Sequence, residues 1–120
     1  MGHYKDLLAY QKGYLLALRI HSVSKKFPDE EKFSLTSQIR RSSRSVCANL
    51  AEAHKRRIFK KYFISKLNDC ESENTETEVW IEFAKDFSYV ESAEYLELIA
   101  LNTEVGKLIW YMMTHPEKFI

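Results

Sequence analysis

Between Ser37 and Arg57 the chain reads SQIRRSSRSVCANLAEAHKRR, which holds many of its side chains capable of chemistry. Ser42, Ser43 and Ser45 could act as nucleophiles, Cys47 as a thiolate, and His54 as a general base. Each of these needs a companion. A serine nucleophile requires a base and a strained turn, whereas these serines fall inside a helical pattern where small residues serve close packing. No motif in the sequence pairs His54 with a nucleophile it could activate. Di-iron bundles use Glu-x-x-His pairs projecting inward, but Leu18, Ala51 and Met112 stand three residues before His21, His54 and His115. Cys47 and Cys70 show no CxxC spacing and sit at small or apolar positions, which predicts buried free thiols. Glu71, Glu78 and Glu82 share a helical face, read as solvated charge rather than a carboxylate site. No Gly-rich phosphate loop or zinc spacing occurs. Catalysis, metals and cofactors are therefore not expected.

What remains is charge. From Arg40 to Lys61 eight basic residues face Glu52 alone, a net of +7. From Asp69 to Glu104 eleven acidic residues face Lys85 alone, a net of −10. The whole chain carries only +1, so its neutrality hides a dipolar molecule suited to charge-directed association. The two segments could pair with each other inside the fold or between copies.

Helices must position these residues. Only 3 Gly and 2 Pro occur in 120 residues, which implies long elements and one domain, 1–120. Leu7, Leu8, Tyr14, Leu15 and Leu18 predict the buried stripe of a first helix over Lys5–Lys26, ended by Phe27-Pro28. A second helix is predicted over Ser34–Arg56, capped by Ser34, with Leu35, Ile39, Val46, Leu50 and Ala53 inward. The third runs over Phe59–Phe87 on Phe63, Leu67, Cys70, Thr77, Ile81 and Ala84 around a polar Asn74, beside an aromatic line of Trp80, Phe83 and Phe87. The fourth runs over Ala93–Thr114. No strand-like alternation competes. The fold class is all-α, an antiparallel up-down four-helix bundle. Second apolar sets on helix one (Tyr4, Tyr10, Ile20, Val23) and helix four (Leu96, Leu101, Trp110, Tyr111) point to a homo-oligomer. No run has the length of a membrane span and no signal sequence opens the chain, so the protein reads as cytoplasmic.

The basic residues divide into groups. Arg40 and Arg44 lie one turn apart and can share a surface. Lys55, Arg56, Arg57, Lys60 and Lys61 cluster at the corner between helices two and three, where accessible charge suits phosphate contact. Phe59, Tyr62 and Phe63 are interleaved with them and could stack on bases, with Phe63 expected to face the core instead. Arg41 is different. Gln38, Arg41, Ser45, Asn49 and Glu52 are spaced along one helical line, which suggests a structural polar network of Gln38, Arg41, Asn49 and Glu52.

The stretch SLTSQIRRSSRSVCANLAEAHKRR, with FISKLNDCESENTETEVWIEFAKDFSYV, resembles the 23S rRNA intervening-sequence protein family, also called the four-helix-bundle protein family. The resemblance covers nearly the whole chain and is most specific in QIRRSSRSVCANLAEA and TETEVWIEFA. Gln38, Arg40, Arg41, Asn49 and Glu52 occupy its signature positions. Two departures stand out: Ala53 and Ser88 replace small glycines common at those places. The resemblance implies a small bacterial protein, in some relatives a ring-like homopentamer. It also implies kinship with the accessory variability determinant of diversity-generating retroelements, which works with a reverse transcriptase and binds nucleic acid through a basic surface. It carries over no catalytic residue.

Together these readings favour a non-enzymatic oligomer that binds structured RNA or DNA through Arg40, Arg44, Lys55, Arg56, Arg57, Lys60 and Lys61. The alternative is a protein-interaction scaffold whose basic and acidic faces pair with neighbouring subunits or a partner protein.

Overall fold

A computed structural model describes residues 2–120. Four helices form: α1 (Leu8–Ser24), α2 (Leu35–Lys55), α3 (Lys60–Asp86) and α4 (Ser92–Thr114). Short 3₁₀ turns stand at Tyr4–Asp6, Asp29–Glu31 and Pro116–Lys118, and no strand occurs among the described residues. Each helix packs on its sequence neighbours, and α1 closes the ring against α4. Partners run in opposite order along every adjacent pair. Arg41 meets Glu73 while Glu52 meets Lys66 across α2 and α3. Lys12, Arg19 and Lys26 meet Glu104, Glu97 and Glu94 across α1 and α4. The result is an antiparallel four-helix bundle with extents of 44 × 25 × 20 Å.

The interior has two apolar clusters. One gathers Leu7, Val46, Leu50, Phe63, Leu67, Val105 and Ile109, and the other Leu16, Ile20, Phe27, Ile39, Ile81 and Leu98. Buried polar side chains occupy α2, α3 and α4 as well. Asn74 Nδ2 donates to the Oδ1 and main-chain oxygen of Asn102, both at 3.1 Å, and Asn102 Nδ2 donates back to the Asn74 carbonyl at 3.2 Å. Thr77 Oγ1 lies 2.8 Å from Ser42 Oγ. Asn102 stands at a core position of α4 between Leu98 and Val105, and had no expected role.

Helix one departs from expectation. Of the expected stripe Leu7 is buried, but Leu8, Tyr14, Leu15 and Leu18 keep 37% to 53% exposure; the buried face is Ala9, Gly13, Leu16 and Ile20, so Ile20 belongs to the core and not to a second apolar face. The helix also begins later, because a 3₁₀ turn occupies Tyr4–Asp6. Both faces satisfy the helical period; close approach to α2 decides between them. A Cβ on Gly13 would already touch Cys47 Sγ at 3.5 Å and Val46 at 3.8 Å. Ser34 also behaves otherwise than predicted. Its hydroxyl makes no cap but donates to Glu31 at 2.7 Å, and Glu31 itself accepts the Leu35 amide at 3.3 Å. Tyr89 donates to the same carboxylate at 2.9 Å, tying two connections together. These hydrogen bonds, Ser34's first, hold the Glu31 carboxyl below its ordinary range. Ala53 turns no corner: it is fully buried, and α2 continues to Lys55.

Ser88 carries the structural consequence of a missing glycine. Its φ of 62° lies in the left-handed region. The Ser88 amide donates to Lys85 O and the Tyr89 amide to Ala84 O, closing α3 with a Schellman motif whose αL position glycine fills most cheaply. Ser88→Gly should therefore stabilise the protein by about 0.5–1 kcal/mol, offset in part by the greater freedom of the unfolded chain. Urea denaturation will show it as a higher midpoint at unchanged slope; a lower midpoint would contradict the strain.

Candidate nucleic-acid interface

The basic residues of the Ser37–Arg57 stretch take three different environments. Arg41 faces α3. Its Nη1 donates to Glu73 at 3.1 Å, its Nη2 to Glu76, and its Nε to Gln38 at 3.1 Å. Trp80 Nε1 donates to the same Glu76 oxygen at 3.1 Å. Farther along the seam, Lys66 bonds Glu52 at 2.8 Å and Asn49 at 3.4 Å, while Asn49 donates to Ser45 at 3.1 Å. The Glu52 bond chiefly holds the Lys66 ammonium above its ordinary range. The structure thus brings Gln38 and Arg41 together at one point of the seam and Asn49 and Glu52 at another. Lys66, Glu73, Glu76 and Trp80 complete it from α3. Trp80 was expected only on an aromatic line and Glu73 and Glu76 only in the acidic segment; their part in the seam went unread, although the steps of seven, three and four from Lys66 trace one line along α3.

Arg40 and Arg44 turn the other way, toward α1. Arg40 Nε donates to the buried Ser24 hydroxyl at 2.8 Å. Arg44 lies 3.2 Å from His21 Nδ1. Desolvation beside α2, and then the nearby Arg40, Lys25 and Arg44 charges, hold His21 below its ordinary range. These two arginines do not join the corner cluster; they belong to the α1–α2 side of the bundle.

The corner itself is open. Lys55, Arg56, Lys60 and Lys61 are exposed and enter no ion pair among the described residues. Arg57 is half-buried and donates to the His54 carbonyl at 2.9 Å. Between these cations Ile58, Phe59 and Tyr62 stand 74%, 55% and 42% exposed, while the adjacent Phe63 is buried at 1%. The α3 start has no side-chain cap, and its first turn carries two lysines and no acid. Cations there oppose the helix macrodipole, at a cost of roughly 0.3–1 kcal/mol each.

No group of three His, Cys, Asp or Glu side chains among the described residues is placed to hold a metal ion. Burial pushes the Cys47 thiol up to about 11 and the Cys70 thiol to about 12, far from a reactive thiolate at neutral pH. No helix among the described residues is long and apolar enough to cross a membrane.

Comparison with known proteins agrees with this architecture. Residues 5–111 match the family described as 23S rRNA-intervening sequence protein. The chain belongs to that family. A crystal structure of a protein of unknown function from the S23 ribosomal protein family of Bacteroides thetaiotaomicron VPI-5482 is similar. It shares 32% identity over 92% of this chain and 98% of its own, with a TM-score of 0.82. No curated protein matches. The family description names an intervening sequence of 23S rRNA and assigns no site, so the roles of the corner and the seam must come from their geometry.

That geometry predicts opposite consequences for neighbouring arginines. Arg41→Met should destabilise the fold by about 1 kcal/mol, since it leaves Glu73 and Glu76 facing each other without their cation. The deficit should shrink in molar salt, where screening weakens both the lost attraction and the new repulsion. Denaturation of wild type and variant at low and high salt reads this directly, and a salt-independent deficit would mean that the stem's packing dominates.

Proposed function

We propose that this member of the family is a non-enzymatic, oligomeric, cytoplasmic bundle that binds nucleic acid through the α2–α3 corner. One observation carries the reading: Lys55, Arg56, Lys60 and Lys61 present four exposed positive charges, uncompensated by any ion pair, on a single corner. Phosphate contact is governed by accessible charge and counterion release. Lys60 and Lys61 also occupy a helix start where acids would stabilise the fold, so their placement is explained better by an external anion than by folding. Copies arranged in a ring, such as the homopentamer implied by the family resemblance, would repeat the corner and let several weak sites act together.

Titration of a labelled structured RNA and a DNA of equal length across a salt series tests this. Wild type should lose affinity steeply as salt rises. The variant K55Q/R56Q/K60Q/K61Q should bind more weakly, with a log–log salt slope lower by about 3 if all four residues touch phosphate. Arg40→Gln should leave the slope unchanged, because that side chain is tied to Ser24. A quadruple variant with wild-type affinity and slope would sink the assignment.

A second reading, the interaction scaffold, is favoured by a different surface. Val79 and Phe83 on α3 and Phe87 just after it lie exposed beside Glu78 and Asp86, which enter no ion pair among the described residues. An acidic, apolar face fits a basic, apolar one, such as the corner of a neighbouring copy. Sedimentation at low and high salt separates the readings: an assembly that dissociates as salt rises, or on substitution F83S/F87S, supports the scaffold.

A further inference from the structure

We infer that the corner binds unpaired bases in single-stranded nucleic acid in preference to a duplex, with Phe59 and Tyr62 as stacking platforms. This rests on reading the corner as a nucleic-acid site. Phe59 immediately precedes α3 and Tyr62 is its third residue. Both residues therefore stand at the start of the helix. They are 55% and 42% exposed, and the next aromatic, Phe63, already fills the core position of that turn. Phe59 makes no aromatic ring contact among the described residues, and the Tyr62 ring has the Lys66 ammonium 6.0 Å from its centroid.

Lys60 and Lys61 lie between the rings in sequence, and Lys55 and Arg56 lie just before them. A single strand presents alternating phosphates and free base faces, so it can satisfy the cations and the rings together. A duplex keeps its base faces stacked inside. It would engage the cations alone and leave Phe59 and Tyr62 against a charged backbone. Stacking is tolerant of base identity and does not distinguish RNA from DNA, so unpaired bases are the shared chemistry and the sugar is left to experiment.

The test uses fluorescence anisotropy of the full chain with oligouridylate and oligothymidylate of about 24 nucleotides and a blunt duplex of about 12 base pairs, so that total phosphate count is closely matched. Wild type should bind at least one of the single strands about tenfold or more tighter than the duplex. Phe59→Ala with Tyr62→Ala should lower single-strand affinity about tenfold or more while duplex affinity and the salt slope stay put. Preference for the uridylate or the thymidylate supports the inference equally and identifies the sugar. Phe59→Trp keeps a ring, should retain binding, and should show added emission that single strands quench and the duplex does not.

Unchanged single-strand affinity in the double alanine variant overturns the inference while the phosphate reading stands. So does a duplex bound as tightly as the tighter of the two single strands. Absence of binding to all three ligands at low salt overturns the inference and the proposed function together.

Discussion

Asn74 and Asn102 exchange three hydrogen bonds inside the bundle, and Thr77 meets Ser42 across the neighbouring interface. Apolar packing alone tolerates sliding, since a displaced helix still meets apolar surface. Buried amides and hydroxyls do not, because an unmet one costs about 1–3 kcal/mol. Slipping α3 against α2 or α4 would orphan these groups, so they fix the register of both interfaces. Gly106 belongs to the same constraint. A Cβ there would come within 2.7 Å of Asn74 Oδ1, so the glycine is kept despite its roughly 1 kcal/mol disadvantage in a helix.

Once register is set, the charges sort themselves. Glu73 and Glu76 go to Arg41, while Glu94, Glu97 and Glu104 go to Lys26, Arg19 and Lys12. Much of the acidic segment is thus neutralised within one molecule, by α1 and α2 rather than by the corner. The +7 segment therefore keeps its field where α2 hands over to α3. The same pairing explains why adjacent arginines differ: Arg40, Arg41 and Arg44 point to Ser24, to two glutamates and to His21 because successive residues on a helix face different neighbours.

The second helix was legible because its apolar and polar residues separate cleanly, so period alone identifies the buried face of Leu35, Ile39, Val46, Leu50 and Ala53. The first helix was not. It offers Leu8, Leu15 and Leu18 on one side and Ala9, Gly13, Leu16 and Ile20 on another, and size argues for the wrong one. The deciding fact is that small residues let α1 approach Val46 and Cys47, which only the partner helix reveals. Asn102 was hidden for a related reason: a lone amide among apolar residues gains meaning only beside Asn74. The corner cations were legible as a cluster, but whether Arg40 and Arg44 joined them depended on α1. Ser88 was visible as a glycine's replacement, and its backbone strain was not.

The α2–α3 corner is the place where local rules and the observed residues part most widely. A helix start favours Ser, Thr, Asp or Asn as its cap, worth about 1 kcal/mol, followed by acids in the first turn. Here Phe59 stands in the cap position without a side-chain bond, and Lys60 and Lys61 follow. Ile58 and Phe59 add exposed apolar surface at the same turn. Phe63 and Leu67, both buried, hold α3 in place without help from its first residues. The start of α3 is thus relieved of a structural duty and carries cations and rings that folding does not need. Departures from local optimality concentrate at functional sites when the rest of a fold can sustain them. By that criterion residues 55–62 are where the proposed nucleic-acid contact would sit, and the polar seam beside them holds that corner at a fixed place on a fixed scaffold.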